Sequence, residues 1–249
     1  ALYSGNMVSE LQRNSIVPRL LASDAELIGA LSSKDYQRTS QRLLSFVDEI
    51  GAAAILLLDS GGRVVAATDR NRLGEIQRNW PHFVEATRAS QTVFTTHEQD
   101  TGVYDFAYSR KIMFNNKLLG VIVVEVDLLK FQSAWAGISD VVIVAAAGGQ
   151  ILLATENSWV GLPEQEALAL RSAPSAIDRA IQATQDWTVL SADAYMQGKA
   201  VMRQELRVPF RGWNMVLFTT YGGIRQRVNA VLALEIMGFS IFLALAFYQ

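Results

Sequence analysis

Apolar residues in this chain are grouped into short runs separated by turn signals, and one arrangement of them occurs twice. Residues Ile55 to Thr68 read ILLLDSGGRVVAAT, and Val142 to Thr155 read VIVAAAGGQILLAT. Gly61 and Gly148 stand 87 residues apart, and at that offset Thr68 falls on Thr155. Each copy is an apolar run, a Gly-Gly pair and a second apolar run. That pattern predicts a β-hairpin, because glycine supplies the positive φ of a tight turn. Two copies one small domain apart predict two similar modules in tandem.

Helical periodicity precedes the first copy. Leu11, Ile16, Leu20, Leu21, Leu27, Ile28 and Leu31 recur at three- and four-residue steps, and Leu43, Leu44, Phe46 and Val47 continue the pattern. Residues 1–51 are therefore expected to form a long helical segment. Pro18 is a candidate kink, and Ser32-Ser33 a break before a second, N-capped helix. The first module, 52–130, is expected to hold strands Ala54 to Asp59, Arg63 to Thr68, Thr92 to Thr96, Val103 to Phe114 and Lys117 to Val126. A short helix from Pro81 lies between the second and third of these. Asn115-Asn116 reads as a hairpin turn. The second module, 131–222, repeats the order with strands Val141 to Ala146, Gln150 to Thr155, Trp187 to Leu190, Lys199 to Val208 and Trp213 to Thr220. A helix over Pro163 to Thr184 follows its first hairpin, and a linking helix over Leu128 to Ile138 joins the modules. The fold class is α+β, with a long N-terminal helix followed by two tandem modules with antiparallel sheets.

The last stretch, 223–249, changes the picture. Val228 to Tyr248 is apolar apart from Asn229 and Glu235, long enough to cross a bilayer, and preceded by Arg225 and Arg227. It is expected to be a membrane span, placing the two modules outside the cytoplasm. A buried amphipathic helix is the other reading. The chain stops directly after it, so the sequence is expected to be the extracytoplasmic domain of a longer membrane protein whose second half is missing.

Composition removes several functions. The net charge is −2, so no basic footprint invites nucleic acid. There is no cysteine, which removes disulfides, Cys-ligated zinc and a thiol nucleophile. The two histidines, His82 and His97, are not at metal-ligand spacing. No hydrolase, nucleotide-binding or metalloprotease motif occurs, and no cofactor is expected.

Groups suited to a small polar ligand are present. Arg78 to Phe83 reads RNWPHF, in which Trp80, His82 and Phe83 offer ring faces and N–H donors and Arg78 a carboxylate clamp. Strand alternation puts Tyr104, Phe106, Tyr108 and Arg110 on one face and Asp105, Ala107 and Ser109 on the other. Glu125 and Asp127 share a face one strand on. Two carboxylates so placed call for a cation, from Arg110, Lys111 or a ligand. The candidate ligand-binding set is Arg78, Trp80, His82, Phe83, Thr95, Phe106, Tyr108, Arg110, Glu125 and Asp127.

Six stretches carry a family resemblance: NSIVPRLLASDAELIGAL (Asn14 to Leu31), ILLLDSGGRVVAAT, PHFVEA (Pro81 to Ala86), FAYSRKI (Phe106 to Ile112), LLGVIVVEVDL (Leu118 to Leu128) and VLFTT near the end. On these the chain resembles the double Cache extracytoplasmic sensor domains, and more narrowly those of DctB-type dicarboxylate sensor histidine kinases. The resemblance implies a ligand site in the first, membrane-distal module and an inner-membrane protein with this domain in the periplasm. It also implies a homodimer through the N-terminal helices and a kinase whose catalytic part lies outside this sequence. Relatives carry an arginine before the Pro-aromatic-Phe element and a lysine before Val-Asp-Leu; here Trp80 and Glu125 stand there. Asp127 keeps the Asp that similar domains use for a ligand amine. The expected ligand is thus an organic acid, amine or amino acid, with simple four-carbon dicarboxylates disfavoured. A chemoreceptor, a cyclic-dinucleotide enzyme or a ligand-free membrane-anchored scaffold are the alternative contexts for the same domain.

Overall fold

The computed structural model describes residues 2–135, 141–169, 194–196, 199–220 and 236–237. The N-terminal segment is helical but divided into four pieces: α1 (Leu2–Ser15), α2 (Val17–Leu21), α3 (Ala25–Ser33) and α4 (Thr39–Ile50). The divisions have local causes. Pro18 sits in the first turn of α2, where its missing N–H has no partner to lose. The Asp24 carboxylate caps α3 by accepting from Glu26 N and Leu27 N at 3.0 and 3.1 Å. α3 ends after Ser33 with Lys34 left-handed, φ 60°, which is the break expected at the serine pair.

Two five-stranded antiparallel sheets follow. The first contains β1 (Ala54–Asp59), β2 (Val64–Ala67), β3 (Val93–Glu98), β4 (Tyr104–Phe114) and β5 (Lys117–Glu125), in the order β2-β1-β5-β4-β3. Helix α5 (Pro81–Arg88) lies between β2 and β3 in sequence, and α6 (Leu129–Trp135) links the modules. The second sheet contains β6 (Val141–Ala145), β7 (Ile151–Ala154), β8 (Ala194–Met196), β9 (Lys199–Arg207) and β10 (Asn214–Thr220), in the equivalent order β7-β6-β10-β9-β8. Helix α7 (Glu164–Ala169) follows its first hairpin. The expected strand Trp187 to Leu190, the helix beyond Ala169 and all but Ile236 and Met237 of the candidate span lie outside the described residues. Among the described residues no helix is long and apolar enough to cross a membrane.

The repeated sequence has a physical explanation. In the first hairpin Thr68 N donates to Ile55 O at 3.1 Å, and Thr68 Oγ1 accepts from Ile55 N at 3.0 Å. In the second, Thr155 and Val142 exchange the same two bonds, both at 3.0 Å. Each threonine thus completes the hairpin ladder with its side chain. The copies also share a bulge, between Leu57/Leu58 and between Val144/Ala145. The equivalence runs on through the following loop. Gly74 N and Glu75 O bond the backbone of Val64, and Gly161 N and Leu162 O bond that of Ile151. Gly74 and Gly161 both have φ 86°.

Both faces of the first sheet are covered. Ile55, Leu57, Ile112, Ile122 and Val124 pack under α2, α3 and α4. On the other face Leu56, Leu58, Val121 and Val123 pack under Phe83 and Ala86 of α5. A further core joins the modules: Met7 and Leu11 of α1, Phe94, Phe106 and Tyr108 of the first sheet, and Val144, Trp213 and Met215 of the second.

Close packing leaves no room at Gly120 on β5. A Cβ there would stand 2.1 Å from Leu58 O and 3.1 Å from Leu31 Cδ1. Gly120→Ala is expected to destabilise the protein by roughly 3 kcal/mol, the upper end for overpacking, because the obstacle is backbone. Gly148, where an added Cβ would meet nothing within 4 Å, is the control; Gly148→Ala should stay within about 0.5 kcal/mol of wild type. Urea unfolding followed by tryptophan fluorescence measures both, and equal midpoints for the two variants would contradict the β1–β5 packing.

Candidate functional site

Strand pairing assembles a polar row on the α5-covered face of the first sheet. Glu125 lies opposite Ala54 on β1 and Ala107 on β4, and Ala107 lies opposite Thr95 on β3. One step along the same face, Asp105 lies opposite His97. Trp80, the residue before α5, stacks on His97 with centroids 4.3 Å apart and meets His82 edge-on at 5.5 Å. Trp80, His82, Thr95, His97, Asp105, Ala107 and Glu125 line a narrow gap with no room for a water molecule. Among the described residues seven polar side chains are buried, and Gln77, His82, Thr95 and Ser109 are four of them. Buried polar groups are costly unless bonded, so their concentration around one gap marks a site rather than a plain core.

A chain of hydrogen bonds fixes this region. Arg72 Nη1 donates to Glu125 Oε1 at 2.6 Å, and Arg72 Nε to Glu75 Oε2 at 3.4 Å. Gln77 Nε2 donates to the same Glu75 oxygen at 2.8 Å. Gln77 Oε1 is therefore left to accept, so His82 Nε2, 2.8 Å away, carries the proton. Ser109 Oγ donates to His82 O at 2.8 Å and holds α5 onto β4. Asp105 accepts from Gln99 Nε2 with both oxygens at 2.7 Å. The ionisation states follow from burial. Desolvation pushes the Glu125 carboxyl up, against the pull of Arg72. Desolvation, with Arg72 and His97 adding to it, lowers His82 to about 3, so its imidazole is neutral at pH 7.

The expected site residues divide between two faces. Trp80, His82, Thr95 and Glu125 come together at the gap. Phe83 lies beside them beneath α5, packed on Leu56, Leu58 and Val64. Phe106 and Tyr108 are on the opposite face, in the core shared with the second module, and Arg110 follows them there, 3.4 Å from Thr92 Oγ1. Arg78 is exposed, with its backbone against Gly62, where a Cβ would fall 2.6 Å from Arg78 Cα. Asp127 is beyond the end of β5, and its carboxylate accepts from Lys130 N at 3.2 Å in the first turn of α6. It does not share the strand face with Glu125. The cation beside Glu125 is Arg72, not Arg110 or Lys111; Lys111 Nζ instead reaches Thr87 O at 3.5 Å. Three residues of the site, Arg72, His97 and Asp105, were absent from the expected set. Asp105 and Ala107 were legible as one face of β4. Arg72 carried no signal, because its partner is 53 positions away and only folding brings them together.

The second module does not repeat the chemistry. Phe218, opposite Val141, takes the position of Glu125, and Arg203, opposite Phe218, that of Ala107. Phe218 is fully buried against Trp159, with ring centroids 6.0 Å apart. Arg203 is held by Glu164 through two bonds of 2.6 and 2.8 Å and by Glu205 at 2.8 Å. What is a polar row in the first module is a packed core and a structural ion pair in the second.

Both the ion pair and the histidine have measurable consequences. Removing one partner of a buried ion pair strands the other, so Arg72→Ala and Glu125→Ala should each cost roughly 3 kcal/mol. The double variant Arg72→Met/Glu125→Leu should cost less than either alone, as read from melting curves at pH 7; a cost equal to the sum would mean the two residues do not interact. His82 gives a pH signature. Its folded pKa lies below its unfolded value, so it adds stability above pH 6.5 that is lost as pH falls towards 3. Between pH 6.5 and 5 the loss should reach about 2 kcal/mol in wild type and be missing in His82→Gln, measured by urea unfolding at each pH.

No family model matches the chain. Curated relatives include the C4-dicarboxylate transport sensor protein DctB of Rhizobium meliloti (strain 1021), 26% identical over 231 residues, covering 82% of this chain and 37% of that protein. DctB of Pseudomonas aeruginosa (strain PAO1) is 22% identical over 240 residues, covering 93% of this chain and 38% of that protein. The chain thus spans less than two-fifths of the length of these relatives. Among solved structures, the sensor domain of the Vibrio cholerae histidine kinase DctB superposes with a TM-score of 0.63 at 18% identity, over 88% of this chain and 93% of that one. The ligand-binding domain of the Pseudomonas fluorescens chemoreceptor CtaA in complex with L-serine gives 0.59 at 16% identity, over 89% and 93%. That of the Pseudomonas aeruginosa amino acid chemoreceptor PctC in complex with GABA gives 0.58 at 20%, over 87% and 94%. The chain is thus similar in fold to a DctB sensor domain and, along most of its sequence, to part of the DctB sensor proteins.

Proposed function

We propose that this chain is the small-molecule sensing domain of a membrane-bound sensor histidine kinase. Its ligand site lies in the first module, 52–130, between the sheet and α5. The second module, 131–222, passes the signal towards the segment 223–249, which we assign to the membrane, with the two modules in the periplasm. The similarity to DctB proteins supports the kinase context. The observation that carries the sensing role is the polar row Thr95–Ala107–Glu125 beside Trp80, His97 and Asp105, present in the first module and replaced by Phe218 packing in the second. Ile16, between α1 and α2, and Leu20 of α2, 58% and 65% exposed, support a homodimer through the N-terminal segment.

The ligand class follows from charge. Glu125 and Asp105 place two carboxylates at the gap, so a dianion such as succinate meets repulsion and a group bearing an amine meets attraction. Trp80 and His97 supply a ring surface for the rest of the molecule. The binding of L-serine by CtaA and of GABA by PctC, domains of this fold, supports an amine-bearing ligand here.

A thermal-shift screen of the chain with small acids, amines and amino acids tests this reading. A ligand at one hundred times its Kd contributes about 2.7 kcal/mol, raising the melting temperature by roughly 5–10 °C for a protein of this size. That shift is expected from an amine-bearing compound, not from succinate or malate, and it should vanish in Trp80→Ala. Absence of a shift with every compound would overturn the sensor reading in favour of a ligand-free scaffold.

A further inference from the structure

Arg72 is the one cation built into the buried side of the site among the described residues. It belongs to a 3-10 turn, Arg70–Arg72, whose start is capped by the Asp69 side chain. The following backbone is anchored to the first hairpin, by Val64 N to Glu75 O at 2.9 Å and Gln77 N to Gly62 O at 2.7 Å. The loop therefore has little freedom to lift, and movement here belongs to the long Arg72 side chain. That side chain is 18% exposed and Glu125 is 15% exposed, so the pair sits at the inner wall rather than at the mouth.

The gap beside the pair has no room even for a water molecule, whereas small-molecule pockets begin at roughly 300 Å³. A ligand must therefore displace something to enter. Parting Arg72 from Glu125 opens the space, but it strands two charges in a poorly solvated place unless the ligand compensates both. A dicarboxylate compensates Arg72 and leaves Glu125 facing more negative charge. A diamine compensates Glu125 and leaves Arg72 facing positive charge. A molecule with one ammonium and one carboxylate compensates both and keeps the local charge unchanged. Arg72 suits the exchange. It uses Nε and Nη1 on Glu75 and Glu125, and its Nη1–Nη2 edge is a second fork that fits a carboxylate. Asp105, beside the gap, reinforces the preference for an ammonium on the Glu125 side.

We infer that the Arg72–Glu125 ion pair is a latch that a zwitterionic ligand opens by inserting between its two halves, ammonium to Glu125 and carboxylate to Arg72. This rests on the ligand site proposed above and names its specificity-determining residue. Arg72 is then both the internal stand-in for the ligand's cation and the clamp for its anion. In the second module the sheet residue in the place of Glu125 is Phe218, and the ion pair there, Arg203–Glu164, puts the base rather than the acid on the sheet.

Calorimetry of the whole chain at pH 7 with L-serine, GABA, putrescine and succinate tests the latch. Wild type is expected to bind one of the two zwitterions at least tenfold more tightly than putrescine or succinate. Arg72→Gln should weaken that zwitterion at least tenfold and make putrescine the tightest of the four. Glu125→Gln should make succinate the tightest. Arg72→Lys, which keeps the charge and loses the fork, should keep the wild-type order at lower affinity, and it carries the test if Arg72→Gln does not fold by circular dichroism. Retention of the wild-type order in both neutral variants would overturn the latch, as would a wild-type preference for putrescine or succinate. Binding of none of the four also overturns it. In that case a thermal shift from another compound in the screen leaves the sensor reading standing, and no shift at all removes both.

Discussion

The alternation of side chains along β3 and β4, in a sheet covered on both faces, is the constraint from which the arrangement follows. Thr95 faces the gap and Phe94 faces the second module; Asp105 and Ala107 face the gap, and Phe106 and Tyr108 the second module. A strand offers no third direction. The candidate site and the inter-module core are therefore two sides of the same two strands, one residue apart. The inter-module side is aromatic: Phe94 meets Tyr108 and Phe210 at 4.9 Å each, and Trp213 at 5.8 Å. Arg211, in the turn before β10, donates to Phe94 O and lies over its ring. On the neighbouring strand Tyr104 Oη donates to Glu98 at 3.0 Å and accepts from Gln150 of the second module at 2.8 Å. A displacement of β3 or β4 by an occupied site would move groups that touch the second module directly.

The tandem modules show how one fold carries a polar row in one copy and a packed core in the other. Their first hairpins match residue by residue, including the bulge, the closing threonine and the left-handed glycine of the loop. These features serve backbone hydrogen bonding, which both copies need equally. Among the described residues the face beneath the helix diverges. There the first module holds Glu125 and Asp105 near Arg72, and the second holds Phe218, Trp159 and an arginine locked by two carboxylates. Each module ties the chain after its first hairpin to its sheet with an Arg–Glu pair, from the loop at Arg72 in the first and from the start of α7 at Glu164 in the second, and the sign is reversed: the sheet carries the acid in the first and the base in the second.

Burying charge in the first module is unfavourable for stability in itself, and the hydrogen-bond chain Glu125–Arg72–Glu75–Gln77–His82 limits the loss by giving each group a partner. A neutral His82 ends that chain without adding a further charge. Apolar packing of the same volume would be at least as stable, as the second module illustrates with Phe218. Stability alone therefore gives no reason for the charged row, which accords with the recognition role proposed for it.

The sequence by itself determined the helical N-terminal segment, the two antiparallel modules, the Gly-Gly hairpins, the Asn115-Asn116 turn and the helix from Pro81. Those are local: periodicity, turn residues and caps act within a few positions, and the repeat doubled the signal. It also placed Trp80, His82, Thr95 and Glu125 in one module and divided β4 into two faces. It did not say which face would be the site. Aromatic Phe106 and Tyr108 suit a ligand as well as they suit a core, and only the docking of α1 and the second module against them assigned them to packing. Asp127 looked equivalent to Glu125 by spacing, but β5 ends at Glu125 and the chain turns into α6, so the two-residue rule stops applying between them. Arg72 was invisible for the opposite reason: nothing near it in sequence distinguishes it from Arg70 or Arg78, and its role comes from a contact across 53 residues that exists only when β2, β5 and the intervening loop are folded together.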